Sequence, residues 1–284
     1  MSEQPTQKLP KGETITRMFE AEDFVKVRGS TDGQQAFMVW NGAIYTFVPG
    51  ESKQHLFNIV GMSVARCLSH PEGGWDFTSR ELTYYLDPKT QEILHQWENP
   101  WTKEVVTVMH VANSPVQGYF KGQFPAKVTG DVTTFVFDLF PSYPNSLANQ
   151  PEFAAYSPNP TYQAAELFKL TVPTADLINP EQTTVSSLIL SWSRIGPWLP
   201  WMKMGTEPGQ LIYSATGCKV ENFTDLPQLL QAQIEQRVPL YRNAPRQKLD
   251  QEDMTSWSYF KQHFQAYLRG EVFPIPELAE YEPI

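Results

Sequence analysis

The sequence predicts a mainly β protein: a large antiparallel β-barrel with C-terminal α-helices packed on it. Three observations carry that reading. The composition favours strands, turn motifs punctuate β-branched and aromatic runs over most of the chain, and apolar stripes of helical period dominate only after residue 223.

The 284 residues suffice for one large β domain or two ordinary ones. Hydrophobic side chains make up 41%, charged ones 19% and aromatics 13%, with eight Trp and 24 Pro, a profile of strands and structured loops rather than long helices. A net charge of −9 without a Lys/Arg cluster argues against a phosphate-tracking surface, so nucleic acid is not an expected partner. Cys67 and Cys218 are far apart in strand-like runs, which suggests neither a metal site nor a disulfide framework, with one long-range bridge left open. No apolar h-region opens the chain and no window approaches the roughly 18 apolar residues of a membrane span. No membrane span is expected, and the expected location is cytoplasmic.

Residues 1–13, MSEQPTQKLPKGE, are polar and read as a disordered lead to a barrel domain over 14–223. A short helix is expected over 14–23. The run VKVRGSTDGQQAFMVWNGAIYTFVPGE sets turn residues, TDGQ and NGA, between apolar stretches, a β-meander signature. Residues 55–68 alternate Phe57, Ile59, Gly61, Ser63, Ala65 and Cys67 with Asn58, Val60, Met62, Val64 and Arg66. Residues 141–164 form a long connection whose Phe153, Tyr156 and Tyr162 suggest that it packs down over a barrel mouth. Beyond it, ELFKLTVPTADLI, TVSSLILSWSRIG and GQLIYSATGCKV read as three further strands. The likeness of the first to HLFNIVGMSVARC hints at internal duplication.

Residues 224–284 are expected to supply the helices. Thr224 or Asp225 can cap DLPQLLQAQIEQRV, whose Leu226, Leu229, Leu230, Ile234 and Val238 form one stripe. A second helix over 251–268 carries Met254, Trp257, Phe260, Phe264, Tyr267 and Leu268 and stops at Gly270.

The most constraining stretch is TSRELTYYLDPKTQEILHQWENPWTKEVVTVMHV, residues 78–111, which reads as three strands joined by two tight turns. If Asp87 pairs with Glu92 and Asn99 with Glu104, one face carries Arg80, Leu82, Tyr84, Leu86, Ile93, His95, Trp97, Val106, Val108 and His110. The other carries Glu81, Thr83, Tyr85, Leu94, Gln96, Val105, Thr107 and Met109. The first face is the more apolar and is expected to turn inward, with Tyr84 opposite His95 and His110 on the diagonal. If the HPEGGW turn pairs His70 with Trp75, Arg66 lies opposite Ser79 on the outer side. Gly61, Ser63, Ala65 and Cys67 then point inward, leaving room for interlocked layers or for a small ligand in a barrel of about eight or more strands.

No GxSxG, HExxH, P-loop, CxxC or glycine-rich dinucleotide motif is present. The catalytic candidates are therefore Tyr84, His95 and His110, with Arg80 at their end: a phenol and two imidazoles that could move protons on an organic substrate. The competing structural reading is that Tyr84 and His95 satisfy each other in a core, or that a one-residue slip turns both outward. Zinc would need a third ligand that this face lacks unless Cys67 comes near, so neither metal nor other cofactor is expected. SWSRIGPWLPWMKMG, residues 191–205, gathers Trp192, Trp198, Trp201, Met202 and Met204 around Arg194 and Lys203. With Trp97, these residues are expected either to wall a flat hydrophobic ligand or to pack on the outside of the barrel. Arg194 and Lys203 hold a substrate carboxylate or face solvent.

The motifs YYLDPKTQEILHQWENPWT, VMHVANSPV and SWSRIGPWLPWMKMG resemble those of a bacterial and fungal family, domain of unknown function 1838, over about residues 24–220. The resemblance brings no reaction with it. By analogy with lipocalin-like and allene-oxide-cyclase-like barrels it implies a lumen that folds a reactive hydrophobic intermediate, as a scytonemin-type cyclase would.

The leading expectation is a barrel that binds a hydrophobic, preferentially aromatic, small molecule and catalyses metal-free acid/base cyclisation or isomerisation in specialised metabolism. Tyr84 and His95 would be its proton-transfer pair, His110 would orient them, and Arg80 or Arg194 would meet an anionic oxygen. The alternatives are a non-catalytic carrier or sensor of an apolar pigment or metabolite, and an interaction module that uses an exposed Trp198/Trp201 patch. A homo-oligomer is compatible with each.

Overall fold

The computed structural model describes residues 12–277. In chain order the strands are β1 (Thr14–Glu20), β2 (Ala36–Phe47), β3 (His55–Ser69), β4 (Trp75–Leu86), β5 (Gln96–Glu98), β6 (Val105–Thr107), β7 (Val111–Phe120), β8 (Gln123–Thr129), β9 (Val132–Leu139), β10 (Ser142–Pro144), β11 (Thr161–Gln163), β12 (Ala165–Pro173), β13 (Ile189–Gly196) and β14 (Gln210–Val220). The helices are α1 (Ala21–Arg28), α2 (Thr174–Ile178), α3 (Gln228–Gln236), α4 (Ser256–Gln262) and α5 (Phe264–Leu268). Ten strands form one antiparallel sheet in the order β1-β8-β9-β12-β13-β14-β2-β3-β4-β7, and β5-β6 and β10-β11 are separate ribbons.

That order forces the sheet to curl. Strand β7 lies at one edge and β8 next to the other, eight strand spacings away, yet only Lys121 and Gly122 join them. Laid flat, those spacings would span roughly 38 Å, whereas three Cα–Cα steps reach about 11 Å. The sheet therefore rolls into a half-barrel and brings its two ends together. Gly122 takes the turn at φ +77°, and its carbonyl accepts the Ala21 N–H at 2.8 Å, fastening α1 to the join.

Helix α1 plugs this end of the half-barrel. Phe24 inserts among Phe120, Phe124, Phe135 and Phe137, with ring centroids 4.7–5.3 Å away. The convex face of β2-β3-β4 is covered instead by the C-terminal helices. Met62, Val64, Leu82 and Tyr84 share one apolar cluster with Leu230, Ile234, Tyr241, Tyr259 and Phe260. Arg80 and Thr78 tie the layers: Arg80 Nη1 donates to the carbonyls of Asn243 (2.6 Å) and Leu240 (3.3 Å), and Thr78 Oγ1 to that of Pro245 (3.0 Å). Both faces of β4 are thus buried. No helix among the described residues is long and apolar enough to cross a membrane.

Several local expectations change. The expected disordered lead falls, but for residues 12 and 13, outside the described residues. The helix expected over 14–23 is strand β1, whose alternating TITRMFE pairs residue for residue with β8. The helix starts only at Ala21, where Asp23 accepts the Glu20 N–H at 3.1 Å, so VKVR is helical rather than extended. The NGA run is no turn: Asn41 and Gly42 lie inside β2. ELFKLTVPTADLI breaks at Pro173 into α2, and the 251–268 helix divides at His263 into α4 and α5. Thr224 and Asp225 lie in a 3-10 turn, and α3 begins later, at Gln228. The 141–164 connection does pack down, with Phe153 and Tyr156 against Phe264 at 4.7 and 5.2 Å.

The HPEGGW turn pairs Ser69, not His70, with Trp75. Gly73 and Gly74 both adopt positive φ and lengthen the loop by one residue, as a glycine bulge does. Arg66 consequently faces Thr78, and Ser63 shares a face with Glu81.

Gly42 sits where β2 has no room for a side chain beside β14, since an added Cβ would stand 2.2 Å from the Ser214 carbonyl oxygen. Gly42→Ala is expected to cost about 1–3 kcal/mol by overpacking, read as a lower urea midpoint. An unchanged midpoint contradicts the close approach.

Candidate functional site

The concave side of the sheet encloses a cavity of about 630 Å³, within the ~300–1,000 Å³ usual for small-molecule sites. Its residues alternate along the strands as period two requires: Phe77, Glu81, Thr83 and Tyr85 from β4, Met38 and Trp40 from β2, Ser63 from β3, and Phe168, Trp192, Arg194 and Tyr213 from β12 to β14. Phe24 and Arg28 contribute from the α1 end. Leu139 and Tyr143, which line the cavity and are also exposed, mark where it meets solvent, beside residues 253–257.

Two polar groups stand in this aromatic surround. The first is Glu81 at mid-β4. Asn113 Nδ2 donates to its Oε2 at 3.3 Å, while the Arg28 guanidinium lies 5.0 Å over the Phe77 ring. Glu81 keeps some accessible area because it faces the cavity, yet protein surrounds it. Burial pushes its carboxyl pKa up, opposed by the Asn113 hydrogen bond and the charge of Arg28. Burial likewise lowers the pKa of Arg28, and Glu81 opposes that shift.

The second group centres on Arg194. Its Nη2 donates to the Tyr162 hydroxyl at 3.0 Å, its Nε lies 3.5 Å from Glu166 Oε1, and its Cζ sits 4.9 Å over the Tyr213 ring. The guanidinium folds back over Gly196, where an added Cβ would stand 2.8 Å from Cζ. Burial works against its charge, but Tyr213, Tyr162 and Glu166 more than offset this and raise its pKa. Burial also raises the phenol pKa values of Tyr85 and Tyr213.

A family model described as protein of unknown function (DUF1838) matches residues 33–264. The chain belongs to that family. No curated protein matches it.

In this DUF1838 protein most residues singled out from the sequence lie outside the cavity. Tyr84 and Arg80 are on the convex face under the C-terminal helices. His95 is exposed. The two turns form as expected, Asp87 N–H to Glu92 (2.9 Å) and Asn99 N–H to Glu104 (2.8 Å), and the Leu86–Ile93 bridge keeps the expected register. The hairpin then peels away, because β7 takes the edge of β4 over 75–83, so Tyr84 and His95 do not form a facing pair. The face expected to turn inward is the helix-covered one, and Glu81, Thr83 and Tyr85 line the cavity instead.

His110 is buried. Its Nδ1 accepts the Tyr85 N–H at 3.1 Å where the two strands part, and its ring lies 4.9 Å from that of Tyr84. Trp97 packs on Phe57 and Trp201 at 5.3 and 6.1 Å. Trp201, 2% exposed, and Trp198, 7% exposed, are core residues, so no exposed tryptophan patch supports an interaction module. Met202 accepts Asn99 Nδ2 through its carbonyl at 2.8 Å, and Lys203 pairs with Glu104. Of the 191–205 cluster, Trp192, Arg194 and Leu199 reach the cavity. Glu81, Asn113, Arg28 and Glu166 are the site residues the sequence reading missed. One signal was present: a charged side chain at the start of the otherwise uncharged strand run LTYYL.

Burial, with His95 nearby, lowers the His110 pKa to about 3, from 6.5. A depressed folded-state value means that stability is full above about 6.5 and is lost as pH falls towards 3. The slope is at most about 1.4 kcal/mol per pH unit. His110→Asn, which keeps an acceptor for the Tyr85 N–H, is expected to flatten the fall in urea midpoint between pH 6 and 4. Equal slopes in both proteins contradict this assignment.

Proposed function

We propose that this protein binds a hydrophobic small molecule with aromatic character in its half-barrel and catalyses an acid/base isomerisation or cyclisation, with Glu81 as the proton-transfer group. The observation that carries the reading is a mid-strand carboxyl, its pKa raised by burial, that faces an aromatic cavity of small-molecule size. Pockets with few, convergent polar groups and a perturbed titratable side chain are the usual setting for such chemistry.

The chemistry asked of the residues is modest. Ionised Glu81 takes a proton from a ligand carbon, the electron pair moves onto an adjacent carbonyl oxygen, and Glu81 returns the proton to another atom of the ligand. No atom or electron is gained or lost. Arg28 and Asn113 steady the carboxylate while it is charged, and the raised pKa brings the carboxyl closer to the range in which one group serves as both base and acid. The aromatic walls hold a flexible ligand in its reacting shape, which is worth up to about 7–11 kcal/mol in favourable intramolecular cases.

A carrier reading uses the same cavity without the proton step, and one experiment separates the two. The protein is incubated in D₂O with metabolite extract of its native host, and bound molecules are analysed by mass spectrometry. Wild type is expected to bind a metabolite, enrich it in deuterium and convert it to an isomer. Glu81→Gln should still bind it while converting it at least about 100-fold more slowly. A bound metabolite recovered unaltered and without deuterium from wild type contradicts the enzyme reading and supports the carrier.

A further inference from the structure

Arg194 has one hydrogen-bonding direction that nothing among the described residues uses. Its Nε is directed to Glu166 and its Nη2 to Tyr162, while Nη1 is buried without a partner among the described residues. The residue is only 7% exposed and lines the cavity. Leaving a buried guanidinium N–H unmade is costly, because the nitrogen has lost water and gained nothing in return. The indole N–H groups of Trp40 and Trp192, residues that also line the cavity, are likewise buried without partners among the described residues. A cavity with surplus donors and aromatic walls suits a ligand that brings acceptors.

The charges agree. Arg28 and Arg194 are the cavity's cations, and Glu81, Glu166 and Asp253 its acids. Glu81 is disfavoured as an anion by burial. Asp253, at the opening, already accepts the Gln117 N–H at 2.9 Å. Glu166 alone faces Arg194, and through Nε rather than Nη1. Arg194 is also held in place from several sides: Tyr213 beneath it, Tyr162 at one end and Gly196 behind it. A fixed, planar, partly satisfied guanidinium is suited to carboxylate recognition and loses little side-chain entropy on binding.

We propose that Arg194 Nη1 is the anchor of a carboxylate subsite, and that the ligand of this cavity is an aromatic monocarboxylate held by its carboxylate at Arg194 with its ring system against Trp192 and Tyr213. Gly196 is a positioning residue, since its missing side chain gives the guanidinium its place. The inference rests on the reading of the cavity as a small-molecule site and narrows the class of molecule.

The test uses a matched pair of probes, 2-naphthoate and 2-naphthamide, with affinities measured by calorimetry for the full-length protein. Wild type is expected to bind the carboxylate at least about tenfold more tightly than the amide, as for a charge-assisted hydrogen bond in a buried site. Arg194→Gln and, independently, Gly196→Ala should erase that preference while amide affinity stays within about threefold, with near-ultraviolet circular dichroism reporting the fold. Equal binding of the two probes by wild type overturns the carboxylate subsite and leaves the cavity reading intact. A preference that survives in a folded Arg194→Gln or Gly196→Ala protein overturns the assignment to Arg194. Binding of neither probe by wild type contradicts the cavity reading and this inference with it.

Discussion

The two-residue link between β7 and β8 is the constraint on which the rest of the structure depends. It ties strands eight spacings apart, so the ten-stranded sheet cannot lie flat. Curling creates a concave side, and α1, fastened to the same link through Ala21 and Gly122, fills one end with the phenylalanine cluster around Phe24. What remains open along the concave side is the cavity. Glu81, Asn113, Glu166 and Arg194 are therefore positioned by strand alternation rather than by loops, which gives them little freedom to move.

A second consequence is that the two faces of β4 do different work. The convex face supplies an apolar core with the C-terminal helices, and Arg80 and Thr78 lace the layers through the carbonyls of Asn243 and Pro245. The concave face carries Glu81, Thr83 and Tyr85. Polar groups at such depth cost free energy unless they are paired. Glu81 accepts a hydrogen bond from Asn113 and feels the charge of Arg28, and Arg194 is paired with Tyr162 and Glu166. All of these residues line the cavity.

Local chemistry was legible in the sequence. Asp87 accepts the N–H groups of Lys89 and Thr90 at 2.8 Å, and Asn99 those of Trp101 and Thr102 at 2.9 and 3.2 Å. Each turn is thus fixed by its own residues, and so is the register beside it. The mainly β class and the covering C-terminal helices follow as directly from periodicity. Which face turns inward was not legible. The rule that the more apolar face is the inner one presumes water on the other side, whereas here α3 and α4 cover it from more than 140 residues downstream. Tyr84 and His110, expected in the lumen, belong to the helix-packed layer and its border. Glu81, expected to meet solvent, lines the cavity for the same reason. The HPEGGW slip came from two consecutive glycines, whose positive φ values add a residue that no count of turn length reveals.

The cavity lies on the Glu81/Asn113 face of the sheet and not on the alternate face. Neighbouring positions on β7 test it directly, because Asn113 lines the cavity while Ala112, 1% exposed, points into the helix-packed core. In a background with the exposed Cys218 replaced by Ser, Asn113→Cys and Ala112→Cys are treated with a small methanethiosulfonate reagent under native conditions. The lumen assignment predicts fast modification at position 113, slowed by 2-naphthoate, and modification at position 112 only as fast as the protein unfolds. Faster modification at 112 than at 113 would contradict it.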